Sequence, residues 1–220
     1  MNYKDILNDK VVAAGYAEID RVNNVPFNHG MKHVKNVVNI MDRLTDALGI
    51  KGDEKNDLLI ASALHDIGQV ESRDNHSYKS RLFAEKYLVG GGIPPVRLNR
   101  ILEAIENHSN KENLDKLPLF ANLMAFADKM DFSCDRLDDD WRDKMGNVKM
   151  KPIYQDILKV DFAKTPNTFK VLITTDGKIS PKDFDRSDGF WVKIPANTKA
   201  LATKLGLKPQ ILVDGISLAI

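Results

Sequence analysis

The strongest constraint on the fold is a series of apolar residues that recur at helical spacing between residues 31 and 132. Val34, Val37, Val38, Met41, Leu44 and Leu48 fall on one stripe of a helix. Gly49 follows as a stop. Asp53 is placed to cap a second helix that carries Leu58, Leu59, Ala61, Ala63, Leu64 and Ile67 and ends near Gly68. The polar stretch Glu71 to Asn75 breaks the pattern, and a third helix is expected from about His76 to Leu88. Gly90-Gly91-Gly92 and Pro94-Pro95 mark a loop. A fourth helix is expected from Val96 to about His108, and a fifth from Leu119 to about Phe132. Shorter helical segments are expected at residues 3–20 and 138–145.

The pattern changes near residue 150. Asp156–Phe162, Phe169–Thr174 and Phe190–Ile194 have the β-branched and aromatic character of strands. Asp176-Gly177 is a turn signal of the kind that joins two strands. Residues 196–205 suit a short helix and Gln210–Ile220 another strand. The expected fold is mainly α: a helical bundle over residues 1–150 with a small C-terminal α+β extension over 151–220. Nothing in that extension carries a chemical motif.

Composition narrows the function classes. The chain has 220 residues, 43% of them hydrophobic and 29% charged, enough to bury a core in an ordinary globular domain. A net charge of +1 argues against a general nucleic-acid or membrane binder. The single cysteine, Cys134, rules out an internal disulfide framework and suits a reducing compartment. Met1 to Lys10 is polar and charged, and no run approaches the roughly 18 apolar residues of a membrane helix. The expected location is the cytoplasm.

All five histidines lie between positions 29 and 108. His65-Asp66 ends an apolar helix. His33 opens one helix, His76 opens another, His108 closes a fourth, and Asp128 lies in a fifth. Each is a candidate ligand from a different helix, which is how helical bundles build metal sites. Imidazole with carboxylate suits first-row ions such as zinc, iron or manganese. His29, four residues before His33, is read as a surface histidine, with a substrate contact or an alternative first ligand as the other readings. Asp131, Asp135, Asp138, Asp139, Asp140 and Asp143 read mostly as a solvated face, Asp131 having a further reading as a residue that orients a ligand. Lys79 and Lys129 are the cations chosen as phosphate contacts; Arg73 and Arg81 flank His76 as well.

The order His33 … His65-Asp66 … Asp128, with "HVKNVV", "ALHDIG" and "ADKMD" around these residues, resembles the HD superfamily of metal-dependent phosphohydrolases. The resemblance covers about residues 20–135. It implies that His33, His65, Asp66 and Asp128 hold one metal ion. It implies further that Asp66 bridges to a second, for which His76 and His108 match the two extra histidines of dinuclear members. Many members carry a lysine where this chain has Gln69, and the Gly-Tyr-Pro element of one cyclic-di-GMP-hydrolysing branch is missing.

The expected function is therefore hydrolysis of a nucleotide or other small phosphorylated metabolite by metal-activated water, with Asp66, Lys79 and Lys129 as catalytic residues. One or two divalent transition-metal ions are implied (Fe, Mn, Zn, Ni or Co, with Fe or Mn favoured). Two alternatives remain: a dinuclear-iron oxygenase built on the same ligand order, and a metal-binding regulatory module. The expected partner is the small substrate, not a membrane or a nucleic acid. The C-terminal region could mediate a homodimer.

Overall fold

The computed structural model describes residues 1–22, 29–110, 114–136, 156–178 and 193–219. The helix expected at 138–145 and the boundary near residue 150 lie outside them. Helices α1 (Tyr3–Leu7), α2 (Lys10–Val22), α3 (Met31–Leu48), α4 (Gly52–Leu64), α5 (His76–Leu88), α6 (Pro95–Asn107) and α7 (Leu119–Lys129) come first. Then follow β1 (Ile157–Lys164), β2 (Thr168–Thr175), α8 (Lys193–Lys204), β3 (Lys208–Val213) and β4 (Ile216–Leu218). The fold is mainly helical with a small C-terminal sheet. No described helix is long and apolar enough to cross a membrane.

The helix α4 is the centre of the bundle. All its residues from Asp57 to Leu64 are buried, against neighbours that include α1, α3, α6 and α7. A helix covered on every side is a core helix, not a surface one. Its ends differ from the expected ones. Lys51 is the N-cap and Asp53 lies in the first turn, where a carboxylate still favours the helix dipole. The α-helix stops at Leu64, and Ile67–Val70 form a separate 3-10 turn. The fifth expected helix is also shorter. Its last turn closes when the Met130 amide donates to the carbonyls of Phe126 and Ala127, which leaves Asp131 and Phe132 beyond the helix.

Contacts at both ends of the helices give their directions. Near the start of α4, buried Asp57 accepts from Arg97 Nη2 at 2.7 Å and Arg100 Nη2 at 2.9 Å, both on α6. The Arg100 guanidinium also lies 4.3 Å from the ring centre of Phe120, at the start of α7. At the other end, the His65 and His108 rings are 4.9 Å apart. Helices α4, α6 and α7 therefore run the same way. On α3 the order reverses: Asp42 and Asp46, near its C-terminal end, both pair with Lys55 near the start of α4.

The sheet has the order β1-β2-β3-β4. Strands β1 and β2 are antiparallel, β2 and β3 parallel, β3 and β4 antiparallel. Helix α8 lies in the crossover that a parallel pair requires. Two expectations need correction. Lys193 and Ile194 begin α8 and do not end a strand; residues 190–192 lie outside the described ones. The long strand over 210–220 is broken at Asp214-Gly215, where φ is 47° and 83°. Asp-Gly is a preferred pair for such hairpin turns, so the signal was present in the sequence.

Helices and sheet share one hydrophobic core. Phe126 of α7 packs against Phe162 and Phe169 of the sheet, with ring centres 5.6 Å away in each case. Arg43 of α3 donates to the carbonyl of Val160 at 3.0 Å. The sheet is thus a wall behind α7 and α3. Truncation of a fully buried phenylalanine costs about 3–5 kcal/mol. Phe169→Ala is expected to destabilise the helices by that amount in one transition, read by far-ultraviolet circular dichroism in urea. Helices that kept wild-type stability would show that the sheet is energetically separate.

Candidate metal centre

The site forms where α4, α6 and α7 end and α3 and α5 begin. His65 is the C-cap of α4 and His108 the C-cap of α6. Asp128 lies in the last turn of α7, His33 in the first turn of α3, and His76 is the first residue of α5. Helix C-termini carry partial negative charge, so three of them converging favour a cation.

Local hydrogen bonds fix which nitrogen each imidazole presents. His65 Nδ1 donates to the Ser62 carbonyl at 2.9 Å, His108 Nδ1 to the Ile105 carbonyl at 2.6 Å, and His76 Nδ1 to the Arg73 carbonyl at 2.9 Å. The first two carbonyls belong to helix ends, which leave acceptors unsatisfied. His33 Nδ1 donates to Asp131 Oδ2 at 2.6 Å. With Nδ1 protonated, all four rings aim the lone pair of Nε2 inward. This is the arrangement by which an outer partner orients a metal-binding histidine.

The inward atoms form two groups joined by one carboxylate. In the first, His33 Nε2 lies 3.3 Å from His65 Nε2 and 3.3 Å from Asp128 Oδ1. Asp66 Oδ2 is 3.6 Å from both of those imidazole nitrogens. In the second, His76 Nε2 and His108 Nε2 are 3.2 Å apart, and Asp66 Oδ1 is 3.4 Å and 3.3 Å from them. Neighbouring donors on a first-row ion with bonds of about 2.1 Å lie about 3.0–3.4 Å apart in octahedral or tetrahedral geometry. The donor set fits metal ions in spacing and in chemistry.

The charges are those of a site ready for cations. Burial pulls the His65 imidazole down to about 3, so it is neutral at physiological pH. Burial also lowers His76. For His33, burial and Arg136 act downwards, but hydrogen bonds to Asp128 and Asp131 prevail and raise it. Burial alone would raise Asp66 and Asp128. The surrounding imidazoles, and Lys129 for Asp128, outweigh it and hold both carboxyls well below their ordinary value.

The structure brings His33, His65, Asp66, His76, His108 and Asp128 together. Lys129 joins them by pairing with Asp128 Oδ2, the oxygen of that carboxylate not facing the histidines. Lys79 is half-buried on α5, and its ammonium pairs with none of them. Arg81 is engaged by Glu106 and Glu85. Two readings change. Asp131 is 1% exposed, not on a solvated face; it accepts from His33, from Asn36 and from Arg136. His29 is only partly exposed and joins the cluster: its Nδ1 lies 3.0 Å from Asp66 Oδ2. The residues from 138 to 143, and the side chain of Asp135, lie outside the described ones. Two supports have roles that the sequence pattern does not reveal. Tyr16, fully buried on α2, donates to the Ala63 carbonyl at 3.0 Å beneath the His-Asp turn.

The other is Gly68. A Cβ at Gly68 would collide with the backbone nitrogen of Ser80 and the carbonyl oxygen of His76. Only glycine lets the start of α5 approach the turn closely enough for His76 to reach Asp66. Gly68→Ala is therefore expected to push α5 outward and to reduce the metal-binding capacity or affinity, measured by equilibrium dialysis. Undiminished capacity at wild-type affinity would show that the close approach is dispensable.

Comparison with curated proteins gave no match. The family model for the HD domain matches residues 30–133, the span from the residue before α3 to just past α7. That span contains each of the six clustered donors. Over those residues the chain is similar to the HD domain.

Proposed function

We propose that the protein is a metal-dependent phosphohydrolase that acts on a nucleotide or another small phosphorylated metabolite. The observation that carries this reading is the division of Asp66: one oxygen faces the His33, His65 and Asp128 group, the other the His76 and His108 group. A single buried carboxylate shared in this way suits two ions a few ångströms apart. Such ions lower the pKa of bound water and offset charge on a phosphoryl group.

The protein's own contribution is to hold these donors before substrate arrives. Carbonyls and Asp131 lock the imidazoles, so little reorganisation accompanies the reaction. Lys129, with a side chain 23% exposed beside Asp128, supplies a positive charge at the rim where a phosphate could approach. Lys79 is the second cation of this proposal, set on α5 three residues after His76. Gln69 provides no charge. The His-rich donor set also suits two irons, so oxygen activation is the second reading; oxygen consumption by the iron-loaded protein distinguishes it.

Asp66→Ala is expected to lose metal and activity together, with turnover of a phosphomonoester and nucleotide panel falling to background. A mutant with full metal content and turnover would exclude this mechanism. Metal binding should also depend on pH in a defined sense. His33 retains its proton to higher pH than a free imidazole, and a cation must displace that proton. Apparent affinity should therefore weaken as pH falls through the raised His33 pKa, and proton release should accompany binding in weakly buffered solution. Affinity that is constant across this range would contradict the role given to His33.

A further inference from the structure

His29 differs from the other four histidines in the nitrogen that it presents. They direct Nε2 inward and use Nδ1 for a carbonyl or Asp131. His29 directs Nδ1 itself, 3.0 Å from Asp66 Oδ2. That nitrogen, Asp66 and His33 form a compact donor group, with all ligand atoms within 4.8 Å of one another. The ring of His29 meets the His33 ring edge-on, their centres 5.5 Å apart.

Gln69 shares this contact. Its Nε2 lies 3.3 Å from His29 Nδ1, so one nitrogen faces the Asp66 carboxylate and the Gln69 amide together. In the tautomer that carries its proton on Nε2, Nδ1 accepts from Gln69, and Nδ1 and Asp66 Oδ2 are two electron-pair donors facing each other at hydrogen-bond distance. A cation beside both relieves that repulsion. Gln69 is 4% exposed, and its Oε1 has no partner among the described residues. A buried amide with an unmet acceptor is itself a mark of an incomplete polar site.

Resting on the metal-centre reading above, we propose that His29 is a further metal ligand, through Nδ1, on the ion held by His33, His65, Asp66 and Asp128. Gln69 is its positioning residue. The first group then offers five protein donors and the second three. The two ions differ in consequence: the first is nearly enclosed by protein, and the ion at His76 and His108 is the one with room for an anionic oxygen of the substrate. Among the imidazoles, His33, His65 and His108 are buried, His29 is 16% exposed and His76, at 23%, is the most exposed.

The test uses the metal-free full chain titrated with cobalt(II), followed by visible absorption and chelator competition. His29→Ala removes the donor; His29→Phe removes it but keeps the ring volume. Both variants are expected to bind as many cobalt ions as the wild type. The affinity of the tighter ion should fall about 10- to 100-fold. Its visible bands should intensify several-fold as its coordination number drops. Added imidazole should restore the wild-type spectrum to His29→Ala. Variants with wild-type affinities and spectra would overturn the proposal and leave the metal centre standing. A wild-type protein that binds no cobalt would overturn both.

Discussion

Every histidine in the chain places a ring nitrogen within 3.6 Å of an oxygen of Asp66. This buried carboxylate is the point on which the helical domain is organised. An ionised carboxylate is costly to bury unless it is compensated. In the absence of an ion, compensation comes from imidazoles that cannot all be protonated, because they crowd one another and burial drives His65 down to about 3. Divalent ions between the donors provide what the protein groups alone supply only in part. The centre is better understood as a cavity lined with lone pairs than as a set of salt bridges.

Holding such a cavity open has a structural cost, and its supports lie well away from the chemistry. At the opposite end of α4, Asp57 accepts from Arg97 and Arg100. That cluster ties the starts of α4 and α6 together and, through the stacking of Arg100 on Phe120, reaches α7 as well. Helices joined at their starts and packed along an apolar length must end side by side. Their final residues are His65, His108 and Asp128. The sheet has a related part: Phe162 and Phe169 clasp Phe126, one half-turn before Asp128 on the same helix.

Much of this was legible in the sequence because it is periodic or ordered. The apolar stripe from Val34 to Leu48 and the stop at Gly49 give α3, and His76–Leu88 coincides with α5. What was missed depends on contacts between distant segments. Asp131 lies in an acidic run and looks exposed. It is buried because α7 stops at Lys129, which turns Asp131 back toward His33 across 98 positions of sequence. His29 looks like a residue before a helix; its environment is set by Asp66 and Gln69, 37 and 40 positions away. Gly68 reads as a helix stop, but its value lies in the backbone of α5 pressed against it. The end of the α4 helix was misplaced for a related reason, since apolar Ile67 continues the helical pattern even though His65 and Asp66 have already left it.

The unequal surroundings of the two groups bear on how a substrate would reach them. His33 and His65 have no exposed side-chain surface. The accessible members are His76 on α5, Lys129 on α7 and His29 just before α3. His76 is the most exposed of the clustered imidazoles, and the Lys129 ammonium is held at Asp128. Gln69, where a lysine would add a second charge, lies buried against His29 instead. The positive field for an anion then comes from the ions and from Lys129 and Lys79, with none from position 69, so binding of phosphate-bearing ligands should follow metal occupancy more closely than in a site where protein cations dominate.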